Sequence, residues 1–519
     1  MFLHRITILL LISWTSVALN CPESLDDVRC SCENEKNLLK IYCRDWDKRI
    51  VFPVFDKEVR KSTFLLNLAD NRITSVAREN LSYFFKLTQL DISNNRISLL
   101  STNLLSACIV LERLNLSGNL ISERSLSQKV FLQNKNLKIL DLSRNKLSGI
   151  LSYNNFAGLD KLDTLILEHN DIRGFQANTF KDMVNLKHLR LNENRLDILD
   201  TYFQPLKSLV ALELQFCSIK RIRPMAFNQS IELATLDLSK NRLEEVPIKS
   251  LKFLRHLTVL LLNKNNFTTI PSYSFTFLGR LQELRLSHMQ HLKSVQDYAF
   301  DGLHSIIELH MSNNPKLSYI SNKAFQEMAT PKVLSLHSNN LTTIGNDALR
   351  WYGISVKELY MNPWNCNCSL RFLIHLLKRN KGKPDEKIIC QTPANLKDKA
   401  VINLRDPEVC QSIDQSSLAS SNNTTSDNSQ VWIIAPICSI VAVVIIVIVI
   451  GIFIWKKRNK DKGYQRTQQA KEFDDFSDKS RSHYSITEDD DGFAWDDTTT
   501  GNWVPRTAET KNTGSLINA

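Results

Sequence analysis

The sequence predicts an α/β repeat solenoid, a curved horseshoe with parallel strands on its concave face, joined to a single transmembrane helix and a disordered tail. Three observations carry this: one motif recurs along most of the chain, two groups of four cysteines bracket it, and a long apolar run follows.

The motif is L-x-x-L-x-L-x-x-N-x-L. Leu137, Leu140, Leu142, Asn145 and Leu147 form one copy, and Leu233, Leu236, Leu238, Asn241 and Leu243 another. The Asn position is filled in turn by Asn71, Asn95, Asn119, Asn145, Asn170, Asn194, Cys217, Asn241, Asn265, Met289, Asn314 and Asn339. Twelve coils with a period of about 24 residues define a leucine-rich-repeat architecture over 56–355. Side chains alternate along a strand, so the fourth and sixth positions put leucines on one face, where stacking buries them. The Asn turns inward to satisfy backbone groups that burial would orphan. Cys217 can serve there as a weak S–H donor; Met289 cannot donate, which predicts a local distortion. Ala226-Phe227, Ala299-Phe300 and Ala324-Phe325 are expected on the convex side, filling the space behind the strands. An amphipathic helix run would need a 3.6-residue period and would not keep Asn in phase.

Caps are expected where the apolar stack would otherwise meet water. Cys21, Cys30, Cys32 and Cys43 fall in an amino-terminal cap over 19–55, and Cys366, Cys368, Cys390 and Cys410 in a carboxy-terminal cap over 356–410 that opens NPWNCNCSLRFL. In a secreted region such groups read as disulfides in preference to zinc, and each group admits three pairings.

A basic Arg5, the apolar run Ile6–Ile12 and the small-x-small triplet ending at Ala18 mark residues 1–18 as a secretory signal peptide. After the caps, the polar, Ser-rich residues 411–430 form a stalk that cannot bury a core. The run Val431–Trp455 would make a helix of roughly 37 Å at about 1.5 Å per residue, long enough for a hydrocarbon core of about 30 Å. Lys456, Lys457, Arg458, Lys460 and Lys462 follow it, so the amino terminus faces outward and the protein is a single-pass type I protein of the plasma membrane. The tail, 456–519, turns acidic and is expected to be disordered and cytoplasmic. Tyr464, Tyr484, Ser485 and Thr487 are its candidate phosphoacceptors, able to dock a cytosolic adaptor.

The net charge of +11 resides outside: residues 21–430 hold 53 Lys+Arg against 42 Asp+Glu, and the tail 11 against 12. A secreted domain does not normally meet nucleic acid, so an acidic extracellular partner is the better fit. Arg371, Lys378, Arg379, Lys381 and Lys383 could contact heparan sulfate, giving weak, salt-sensitive heparin retention. Eight sequons, Asn80, Asn115, Asn228, Asn266, Asn340, Asn367, Asn422 and Asn423, indicate a glycoprotein. A glycan on Asn115 would obstruct the third coil and push ligands toward later ones.

The capped, 24-residue repeats with an NPWxCxC-type closing segment resemble animal extracellular leucine-rich-repeat proteins with Slit- or Toll-like-receptor-type ectodomains. The resemblance covers Cys21–Cys410. It implies the pairs Cys21–Cys32, Cys30–Cys43, Cys366–Cys390 and Cys368–Cys410, and a single-pass receptor or adhesion molecule. The chain departs from several members: no immunoglobulin pattern of Cys…Trp…Cys precedes the membrane, and the tail has no room for a Toll-type signalling domain or a kinase.

Variable strand positions point into the hollow, which is the expected binding surface. Large and charged groups gather in its middle: His169, His188, Arg190, Glu193, Glu213, Phe216 and Leu261. The expected function is a cell-surface recognition receptor or adhesion molecule for an extracellular protein ligand. The alternative is a pattern-recognition receptor, innate-immune-like, for microbial or polyanionic ligands, signalling through a partner; a matrix tether is a third reading. No Ser/His/Asp spacing, phosphate loop or HExxH motif is present, so no enzyme, cofactor or metal is expected. His288, His310 and His337 come from neighbouring coils but stand too far apart to share a metal.

Overall fold

A computed structural model describes residues 30–43, 52–53, 55–101, 103–127, 129–379 and 387–410. All fall within one compact unit, Met1–Asp414; a second unit, Gln415–Ala519, lies outside the described residues. Also outside them are the signal peptide, Cys21, Lys381, Lys383, Asn422, Asn423, the stalk, the span Val431–Trp455 and the tail with its phosphoacceptors. Among the described residues no helix is long and apolar enough to cross a membrane.

One 15-stranded sheet runs the length of the solenoid. Its strands are β1 (Cys30–Glu35), β2 (Leu38–Cys43), β3 (Thr63–Asn67), β4 (Gln89–Asp91), β5 (Arg113–Asn115), β6 (Ile139–Asp141), β7 (Thr164–Ile166) and β8 (His188–Arg190), continuing with β9 (Ala211–Glu213), β10 (Thr235–Asp237), β11 (Val259–Leu261), β12 (Glu283–Arg285), β13 (Glu308–His310), β14 (Val333–Ser335) and β15 (Val356–Glu358). They pair in chain order, all parallel except the antiparallel hairpin β1–β2. The central leucines are in register: Leu140 opposes Leu165, Leu165 opposes Leu189, and Leu189 opposes Leu212. Each is fully buried, while the residues on either side of it are half-buried or exposed. A coil cannot bury its leucines alone, so the sheet exists only as a stack.

The asparagine ladder fixes the stack. Asn145 places Nδ2 within 2.9–3.1 Å of the carbonyls of Leu116, Leu142 and Ser143, and its Oδ1 accepts from the Ile121 amide at 3.0 Å. Each Asn therefore ties its own turn to the preceding coil with buried bonds. The ladder reaches into both caps: Asn71 donates to the Cys43 carbonyl at 2.7 Å, and Asn362 to that of Leu336 at 2.8 Å. With β15, Asn362 makes a thirteenth coil inside the segment assigned from sequence to the closing cap. The motif misses it because Lys357 replaces the central leucine, opposite Leu334.

The two exceptional slots behave differently from each other. Cys217 donates through Sγ to the Leu191 carbonyl at 3.1 Å. Met289 was expected to distort its surroundings, yet β11, β12 and β13 keep their register through it. The reason is that neighbouring asparagines reach the carbonyls Met289 leaves: Asn265 bonds Leu262, and Asn314 bonds Leu286. Asn314 Oδ1 accepts from the Met289 amide itself, as Asn241 Oδ1 does from the Cys217 amide and Asn339 Oδ1 from the Asn314 amide.

Behind the sheet, buried phenylalanines stack from coil to coil: Phe156 on Phe180, Phe180 on Phe203, Phe275 on Phe300 and Phe300 on Phe325, with centroids 5.2–6.3 Å apart. Phe227 is buried likewise. This packing demands glycine at Gly302, whose φ is +85° and whose Cβ would stand 2.3 Å from the Thr276 carbonyl oxygen, and likewise at Gly158, where a Cβ would stand 2.7 Å from Leu132 Cα.

Disulfides join Cys30 to Cys43 across β1–β2, Cys366 to Cys390 and Cys368 to Cys410. Cys32 is also disulfide-bonded. In the closing cap Trp364 is fully buried, its indole N–H donating to the Leu359 carbonyl, and the helix Arg371–Arg379 lays Leu373, Ile374, Leu376 and Leu377 over the last coil.

Among the described residues the free cysteines are Cys108 and Cys217, both buried, and burial pushes each thiol up to about 12. The thiolate, the reactive form, is then scarce at any physiological pH. In native protein at pH 8, iodoacetamide is expected to label neither, with both modified after denaturation. Peptide mapping reads this directly, and rapid native labelling of Cys217 would contradict the buried slot.

Candidate ligand-binding face

The polar groups of the sheet face fall into two columns set by local backbone chemistry. The first is the last residue of each strand. Where this is Asp or Asn, its Oδ1 turns to the amide two residues on: Asp91 to Ser93, Asn115 to Ser117, Asp141 to Ser143 and Asp237 to Ser239, at 2.8–3.0 Å. This local bond ends the strand and starts the inward turn.

The second column is the residue just before each ladder position. There the chain turns left-handed, with φ between +51° and +65° for Asp70, Asn94, Gly118, Arg144, His169, Glu193, Phe216, Lys240, Lys264, His288, Asn313, Ser338 and Met361. Only Gly118 is glycine; the others hold a conformation that costs an L-residue about 1–2 kcal/mol, maintained by the buried Asn that follows in most coils. Their side chains stand side by side along one edge of the face.

The seven candidate contact residues divide between these columns. Arg190, Glu213 and Leu261 close β8, β9 and β11, and His188 opens β8. His169, Glu193 and Phe216 belong to the left-handed column. Arg190 Nε lies 3.1 Å from Glu213 Oε1, and His169 Nδ1 2.9 Å from Glu193 Oε2. Asn192, between the two columns, donates to both Glu168 and Glu213 at 2.9 Å. Leu261 is half-buried between Asp237 and Arg285. Phe216 is 59% exposed.

Sequence reading missed what stands beside Phe216. Lys240 and Lys264 follow it in the same column; Ser218 and Arg242 hold the position after the ladder residue. With Asn241 they line a groove of about 430 Å³. The sequence signal is their fixed offset from the ladder residues Cys217, Asn241 and Asn265, one position before or after each. The next residue in the column, His288, is held below the usual histidine range by burial, with the charges of Lys264 and His337 adding to the effect.

The geometry bears on two other expectations. The three described members of the closing cap's basic cluster are engaged: Arg371 pairs with Asp406 at 2.6 Å, Lys378 donates to the Leu404 carbonyl at 2.6 Å, and Arg379 stacks over Tyr352 at 5.3 Å. Asp406 lies 35 residues from Arg371, beyond any local spacing. The second concerns metal. Glu283, Glu308 and His310 bring three ligand atoms within 4.8 Å of one another, a grouping unlike the three histidines considered from sequence. Arg285 bonds Glu283 in the same cluster, so a guanidinium already balances that carboxylate.

Of the sequons, Asn340 and Asn367 are exposed, and Asn80, Asn115, Asn228 and Asn266 half-buried. Asn115 stands on β5 between Asp91 and Asp141.

With that geometry in place, the comparisons agree on the architecture. Models of the leucine rich repeat match residues 86–108, 124–172, 161–219, 231–290 and 289–341. Similar curated proteins include human Toll-like receptor 3, 26% identical over 41% of this chain and 28% of that protein. Mouse Tsukushi is 28% identical over 40% of this chain and 58% of its own length, and mouse osteomodulin is 30% identical over 42% and 54%. The chain thus spans less than two thirds of the length of these relatives. Among solved structures, Drosophila Toll in its complex with Spatzle superposes with a TM-score of 0.51 at 17% identity, covering 69% of this chain and 60% of that one. The chain carries a leucine-rich-repeat solenoid similar to those of extracellular leucine-rich-repeat proteins.

Proposed function

We propose that this protein is a single-pass cell-surface recognition receptor or adhesion molecule that binds an extracellular protein through the middle of its sheet face. The observation that carries the reading is a pair of linked groups, Arg190–Glu213–Asn192–Glu168 and His169–Glu193, beside exposed Phe216. It stands on a backbone whose own polar groups the ladder already satisfies. Charged groups around one exposed aromatic, held on rigid strands, are the composition of an interface centre. The central leucines of the strands contribute nothing to recognition, since they are inside.

The reading is tested by displaying the full chain on cells and screening a library of secreted and cell-surface proteins. A captured partner is expected to lose about tenfold or more in affinity on replacing Arg190 and Glu213 together by alanine, since truncated interface centres cost about 2 kcal/mol or more. Undiminished binding to that double variant would place the interface elsewhere. Aggregation of cells carrying the chain separates adhesion from ligand reception.

A further inference from the structure

The groove beside Phe216 has a chemistry that the linked groups do not explain. Lys240, Arg242 and Lys264 are exposed and make no ion pair among the described residues, although the preceding coils supply cross-coil pairs such as Lys220–Asp197 and Arg190–Glu213. Lys240 and Lys264 occupy equivalent positions of adjacent coils, so their backbones are about 5 Å apart. Among the described residues neither ammonium has a carboxylate partner to offset the mutual repulsion of the pair. Phe216, next in the column, holds its ring in solvent from a left-handed backbone.

From these facts we infer that Phe216, Ser218, Lys240, Arg242 and Lys264 form a docking groove for a short acidic peptide segment of the extracellular partner. Carboxylates of the segment lie on the three cations and an apolar side chain covers Phe216. The inference rests on the sheet face being a protein-binding surface and names the chemistry of one part of it. The track of cations is short. Glu193, committed to His169, precedes Phe216, and His288, held below the usual histidine range by burial, follows Lys264. Three coils span about 10 Å, the length of about three extended residues. A long sulfated polysaccharide would run off this track toward Glu193 and Glu213, and it offers no apolar side chain to desolvate Phe216. A peptide segment matches both the length and the mixed chemistry.

The test uses the purified full chain after enzymatic removal of N-glycans, because Asn266 occupies in the next coil the position of Ser218 and Arg242. The probe is a fluorescein-labelled peptide with three acidic residues on each side of a Leu-Phe pair; a second peptide carries Ser-Ser in place of that pair. Wild type is expected to bind the first peptide in a salt-sensitive manner. The double variant Lys240→Glu with Lys264→Glu is expected to weaken it about tenfold or more. Phe216→Ser should weaken the Leu-Phe peptide about fivefold and the Ser-Ser peptide less than twofold. All three side chains face solvent, so thermal melting should match wild type; Arg242→Gln with Lys264→Gln is a milder second variant if the first does not fold.

Absence of binding to wild type overturns the inference, as does binding that neither set of variants weakens. Preferential capture of a heparin octasaccharide, insensitive to Phe216→Ser, overturns it in favour of a polysaccharide. A protein partner lost on Arg190→Ala with Glu213→Ala but retained by the Lys240 and Lys264 variants would leave the sheet-face reading standing and remove this groove alone.

Discussion

Replacing Asn241 with alanine is expected to lower unfolding stability by about 4 kcal/mol, because three buried groups lose their partners at about 1–3 kcal/mol each. The Leu214 carbonyl loses its 2.8 Å bond to Nδ2, and the amides of Cys217 and Ile219 lose their shared acceptor Oδ1, both at 3.0 Å. The Leu238 carbonyl keeps Asn265 as donor and the Ser239 carbonyl keeps the Phe216 amide, so the damage lies on the side of the preceding coil. Chemical denaturation measures the loss, and faster hydrogen exchange at Cys217 and Ile219 locates it. The instructive control is Met289→Ala, which removes no side-chain donor. Its cost should be the cavity alone, with the Leu262 and Leu286 carbonyls still held by Asn265 and Asn314. If Asn241→Ala cost under about 1 kcal/mol, the ladder would be incidental to the fold.

The second large effect is expected at Phe300. Its ring is fully buried between Phe275 at 6.0 Å and Phe325 at 5.2 Å, in a stack that links three coils behind the sheet. Phe300→Ala should cost about 4 kcal/mol through lost burial and the cavity left behind, and two ring contacts go with it. Because coils contact only their neighbours, the damage should spread as increased exchange of β12 and β13 and fade toward both caps. Phe300→Leu keeps most of the volume and should cost well under half as much. An alanine variant as stable as the leucine variant would show that the cavity collapses without penalty.

How far the sequence could be read follows from which features repeat. A leucine that recurs at one phase has one role in every coil, so Leu140, Leu165, Leu189 and Leu212 could be placed in the core before any coordinates existed. The same reasoning identified the Asn slot and the S–H donor at Cys217. It misjudged Met289, because the repair comes from Asn265 and Asn314, one coil away on either side. It stopped one coil early at Lys357, where the repeat loses its leucine but the sheet does not end.

The recognition surface was legible only in part. His169, Glu193 and Phe216 were picked for their chemistry, but nothing in residue type announces a left-handed turn when twelve of thirteen such positions are not glycine. Lys240 and Lys264 hold such positions, and Arg242 lies two residues past Lys240. The closing cap fails differently: Arg371 reads as a free cation until the chain returns Asp406 to it.

By itself, then, the sequence determined the solenoid, the phase of its core and the chemistry of its ladder, because a periodic chain meets the same burial problem in each coil and solves it with the same residues. Tertiary structure alone decided which non-repeating side chains share a column, which charges are already paired and which stand open. Those outcomes depend on distances between coils and on backbone angles imposed by packing, and neither is encoded at any single position.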